Sequence, residues 1–76
     1  MQANSNYTQT ITPSAMYRAR DCARFFSIGL STWWHWCKTG KAKRGTKLSQ
    51  KVTCWDGAYL LELKQQLIAE AQGREG

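Results

Sequence analysis

Apolar positions recur along the chain in more than one rhythm, and each rhythm predicts an element. Tyr17, Cys22, Ala23 and Phe26 approximate helical spacing, with Arg18, Arg20, Asp21 and Arg24 mostly on the other side, so a short amphipathic helix is expected from Tyr17 to Phe26. Ser27, Ile28, Gly29 and Leu30 interrupt it with a glycine and an apolar pair, the punctuation of a tight turn between helices. A second helix of about two turns follows, because Thr32 to Thr39 contains neither Pro nor Gly. Gly29 or Ser31 can cap its start, and Gly40 stops it. Trp33, Trp36 and Cys37 share one face at spacings of three and four, which leaves Thr32, Trp34, His35 and Lys38 projecting elsewhere.

Beyond Gly40 the rhythm shortens. Thr46 to Leu48 and Val52 to Trp55 read as two short strands about the polar turn Ser49, Gln50, Lys51. Leu48, Val52 and Cys54 are expected to face inward, and Lys47, Lys51 and Thr53 to face water. A two-stranded hairpin needs a surface to pack on, and the last helix supplies it. Asp56 caps a run to about Gln72 in which Leu60, Leu63, Leu67 and Ala71 form a stripe and Glu62, Lys64, Gln66 and Glu70 form the wet side. Residues 1–15, rich in Asn, Gln, Ser and Thr and carrying Pro13, show no periodicity and are expected to form a poorly ordered arm, with a frayed tail at residues 73–76. The folded unit is then residues 16–72, mainly α with a small β-hairpin. Its order of helix, tight turn, short helix, basic hairpin and longer helix is that of a winged helix-turn-helix.

Composition narrows the class. At 76 residues with 42% hydrophobic residues and four Trp, the chain can form one small domain with one small core. It carries no apolar run of membrane-spanning length and no secretory pattern at its start, so a soluble protein without membrane association is expected. Three cysteines, Cys22, Cys37 and Cys54, cannot all pair within one chain and form no C-x-x-C, so they are expected as reduced, buried thiols.

Charge changes the picture more. The net +6 is unevenly spread: residues 1–17 are uncharged, residues 18–51 hold nine basic side chains against Asp21 alone, and residues 52–76 are slightly acidic. Helix one, helix two and the hairpin carry the cations, as elements touching a polyanion would. Other chemistry finds little support. His35 and Cys37 leave a helix on different faces, and the cysteine spacings match no zinc pattern, so no metal is expected. Gly40-Lys41 and Gly45-Thr46-Lys47 do not stand in the register of a phosphate-binding loop, and no cofactor is implied. No catalytic constellation is present, because the sole histidine neighbours no predictable carboxylate; the protein is not expected to be an enzyme. Trp33, Trp36 and Trp55 are assigned to the core.

Residues Met16 to about Leu63 resemble the AlpA-like and phage excisionase-like small DNA-binding proteins, a branch of the MerR-type winged helix group. The likeness rests on YRARDCARFFSIG from Tyr17 to Gly29, on Lys38-Thr39-Gly40 closing the second helix, and on TKLSQKVTCW from Thr46 to Trp55. The chain departs from that pattern at Ala42-Lys43, where Phe-Pro is common, at Gly29, where a capping Ser is usual, and at Trp34 and His35, where Tyr and Arg are frequent. The resemblance implies a cytoplasmic, bacterial nucleoid-associated protein that binds double-stranded DNA of a prophage or mobile element. Such a protein regulates transcription or biases recombination toward excision, beside an integrase of the tyrosine recombinase type.

On this reading Ser31, Thr32, Trp34, His35 and Lys38 enter the major groove. Arg18, Arg20, Arg24, Lys41, Lys43, Arg44, Lys47 and Lys51 serve phosphates and the wing. A module this small gains specificity through several copies, so cooperative self-assembly on DNA is expected. Two other readings use the same charge: a small phage-encoded inhibitor gripping an acidic protein, and a structured-RNA binder.

Overall fold

The computed structural model describes residues 10–75. Along the chain run β1 (Met16–Arg18), α1 (Ala19–Phe25), α2 (Leu30–Thr39), β2 (Thr46–Ser49), β3 (Val52–Asp56) and α3 (Gly57–Glu75). The strands form one antiparallel sheet in the order β1-β3-β2, so the fold is three helices with a three-stranded sheet rather than with a hairpin alone.

The added strand corrects the reading of Tyr17 as helical. Met16 pairs with Asp56, Tyr17 with Trp55 and Arg18 with Cys54, and the helix begins only at Ala19. Tyr17 is half-buried, with exposed neighbours on either side, which is the period-two signature of a strand. Its hydroxyl accepts the Thr12 amide at 2.8 Å.

That contact belongs to a second correction. Residues 1–9 of the expected arm lie outside the described residues, but from Ile11 onward the chain is part of the fold, and Ile11 is buried in the core. The Gly57 amide donates to the Ala15 carbonyl at 2.8 Å, and the Ala58 amide to the Pro13 carbonyl at 3.1 Å. Asp56 accepts the Tyr59 amide at 2.9 Å, as a capping carboxylate does. Three of the amides that a helix start leaves without internal partners are thereby satisfied. A side chain at Gly57 would run into the Thr12 carbonyl, so only glycine lets the segment approach this closely.

Between α1 and α2 the chain turns in a Schellman arrangement: Ile28 donates to the Ala23 carbonyl at 3.0 Å and Ser27 to that of Arg24 at 3.1 Å. The left-handed position falls on Ser27, at φ 58, while Gly29 is the extended N-cap of α2. At the other end Gly40 is left-handed at φ 92, and both Gly40 and Ala42 donate to the Trp36 carbonyl.

Trp33, Trp55, Leu60, Leu63 and Cys22 are the largest fully buried side chains. Trp33 lies edge to face with Trp55 at 5.3 Å between centroids and stacks on Phe26 at 5.8 Å, so α2, β3 and the α1–α2 turn meet around one indole. Trp36 is half-buried beside them. Two expected core positions lie outside. Leu48 is 56% exposed, because β2 is an edge strand exposed at every one of its residues. Ala71 is exposed, and α3 continues through the expected tail to Glu75, with Gly76 outside the described residues. No helix of the described residues is long and apolar enough to cross a membrane.

The three cysteines are free and buried. Burial, with the Asp21 carboxylate adding to it, pushes the Cys22 thiol from an ordinary 9.0 up to about 12. Burial also raises Cys37, against a smaller opposing pull from Arg44. The neutral thiol is the form the fold prefers, so its contribution is complete below pH 9.0 and is lost as pH rises through about 12. Urea titrations at increasing pH should therefore show stability falling above pH 9.0, and a Cys22→Ala variant should show less of that fall.

Candidate nucleic-acid interface

The sequence gives α2 two unlike faces, and the fold buries one. Trp33 and Cys37 turn into the core, and Ser31, Thr32, Trp34, His35 and Lys38 are all exposed, so the five expected groove residues lie outward on one helix. Trp34 stands 46% exposed, with its ring 5.8 Å from that of Trp55 at an interplanar angle of 60°. Trp55 is itself fixed: it is 1% exposed, and its indole N–H donates to the Lys43 carbonyl at 2.9 Å. Gly45 passes so close beneath that a side chain there would meet Thr53 and the Trp55 ring within 3 Å.

Trp34 forms a ridge between two concavities that share Thr53. One is lined by Arg18, Arg20 and Lys51, together with Asp21 and Leu30. The other is lined by Lys38, Arg44 and Lys47 beside Gly45 and Cys37. Elements far apart in sequence supply these cations. Arg18 comes from β1, Arg20 from α1, Lys38 from α2, Lys47 from β2 and Lys51 from the hairpin turn. The Arg18 guanidinium donates to the Lys51 carbonyl at 3.4 Å, which ties the hairpin turn to β1.

The remaining three expected phosphate residues are placed differently. Arg24 lines a neighbouring groove with Arg20, Ser27 and Ile28. Lys41 lies over the Trp36 ring, 4.7 Å from its centroid, and faces Gln66 and Glu70 across a hollow against α3. Lys43 lies 4.5 Å over the Tyr59 ring, and its amide donates to the Tyr59 hydroxyl at 2.8 Å. Lys41 and Lys43 thus line neither concavity beside Trp34; each covers an aromatic face instead.

Sequence reasoning missed Thr53 and Asp21 as members of this surface. Lys47 pairs directly with Thr53 across the hairpin, so their shared outward alternation was the available signal for Thr53. Among the described residues no group of three His, Cys, Asp or Glu side chains could hold a metal ion. The surface offers cations, hydroxyls and one braced aromatic: the means to hold an anionic polymer. No protein-family model, curated protein or solved structure matches this chain.

Proposed function

We propose that this chain is a sequence-specific double-stranded DNA-binding protein of winged helix-turn-helix type, with α2 entering the major groove and the β2–β3 hairpin lying on the backbone as the wing. The observation that carries this reading is the gathering of six cations from six segments into two concavities on either side of the exposed face of α2. Phosphate contacts from both sides set register and affinity, while Ser31, Thr32, Trp34, His35 and Lys38 meet base edges. The B-form major groove admits a helix, whereas the narrow major groove of duplex RNA does not, so geometry favours DNA over structured RNA. The resemblance to excisionase-like proteins supports a role in a prophage or mobile element, acting on recombination direction or on transcription, with further copies and an integrase as partners.

Titration of a labelled DNA duplex, with structured RNA and an acidic protein as competitors, tests this. Duplex DNA should bind most tightly, and Lys38→Gln should weaken it. An untouched duplex affinity in that variant, or displacement by RNA, would count against the proposal. Asp21 gives a further check, because its carboxylate shares a concavity with Arg18, Arg20 and Lys51. Asp21→Asn removes a repulsion toward phosphate and should tighten duplex binding about two- to fivefold at low salt, read by fluorescence anisotropy.

A further inference from the structure

Trp34 is the aromatic side chain of the outward face of α2, where Leu30, one turn before it and 41% exposed, is the other apolar one. Its other neighbours there, Ser31, Thr32, His35 and Lys38, all carry hydrogen-bonding groups suited to base edges. An indole carries one N–H donor and is otherwise apolar. It is nevertheless held outward, 46% exposed, against a buried and hydrogen-bonded Trp55, and it separates the two cationic concavities. The ring rests edge to face on Trp55, and Gly45 and Thr53 line the concavity beside it.

The partner of such a ring follows from the chemistry of the groove. In the major groove every base pair presents acceptors and donors, and the thymine C5-methyl is the apolar group among them. Resting on the DNA-binding reading above, we propose that Trp34 is a specificity-determining residue that reads a thymine through its methyl group, fixing one T·A pair in each site. The cations on both sides seat the backbone and bring the ring to a constant depth. The neighbouring hydroxyls, His35 and Lys38 read adjacent pairs by hydrogen bonding.

The test uses the full chain and duplexes that the wild-type protein selects from a randomised pool. Each thymine is replaced singly by deoxyuridine, which deletes the methyl and leaves base pairing intact. One thymine per site should lose about three- to fivefold in affinity on substitution, the scale expected for burying a single methyl. The same substitution should leave the affinity of Trp34→Ser unchanged. Circular dichroism of that variant checks its fold, and the wild-type scan stands without it. Equal wild-type affinity on every uracil-containing duplex, with tight binding retained, overturns the thymine contact and leaves the DNA-binding reading intact. A uracil effect that persists undiminished in Trp34→Ser also overturns it. Failure to select any duplex overturns both.

Discussion

Raising salt from about 50 to about 200 mM should weaken the protein's hold on duplex DNA by roughly a thousandfold. The figure follows from the six cations around Trp34, Arg18, Arg20 and Lys51 on one side and Lys38, Arg44 and Lys47 on the other. If each neutralises one phosphate, the logarithm of affinity falls against the logarithm of salt with a slope of about −5. The same geometry divides the lysines into two groups. Lys47→Gln should flatten the slope by about one and weaken all sequences alike. Lys41→Gln should leave it nearly unchanged, because that ammonium lies over Trp36 on the side facing α3. A slope near zero, or equal losses from Lys41→Gln and Lys47→Gln, would contradict the two-sided arrangement.

Trp33→Ala should cost about 3–5 kcal/mol. At the usual stability per residue, a chain of 76 residues has about 4–11 kcal/mol in total, so this variant should sit close to its own unfolding transition at room temperature. The indole is 0% exposed and touches Phe26, Trp36 and Trp55, rings contributed by the turn, by α2 and by β3. Its N–H is buried without an acceptor among the described residues, so the side chain serves through its volume and not through a hydrogen bond. Trp33→Phe should accordingly be much milder than Trp33→Ala, since it loses ring volume but no polar contact. Trp34→Ala, at an exposed position, should cost far less than either. Chemical denaturation of the three variants checks this order, and a cost at Trp34 matching that at Trp33 would refute it.

How legible these features were depends on how local their causes are. The end of α2 at Gly40, the Asp56 cap and the Leu60 and Leu63 stripe are set by neighbours within a turn, and sequence spacing finds them. The exposed face of α2 follows from the same periodicity. β1 was not legible, because Tyr17 acquires its strand partner from Trp55, far along the chain, and three residues of alternation are too few to announce a strand. Nor was the ordering of the segment before it: a single apolar residue, Ile11, anchors a stretch whose composition is otherwise that of a loop. Leu48 follows the expected alternation in sequence, but β2 is an edge strand that nothing covers, and all of its residues are exposed. Lys41 and Lys43 read as free cations because a residue count does not reveal an aromatic ring beneath an ammonium. The cations around Trp34 were each identified, whereas their division into two hollows arises only when β1, α1, α2 and the hairpin converge.

The aromatic side chains have an optical consequence. Trp36, Trp33, Trp55 and Trp34 follow one another in space with centroids 6.1, 5.3 and 5.8 Å apart, a continuous path from half-buried Trp36 through the two core indoles to the most exposed one. Excitation absorbed anywhere along it can migrate to the others, so quenching at Trp34 would dim the emission of the whole set. The molecule therefore carries a built-in, label-free reporter for occupancy of its outward helix face.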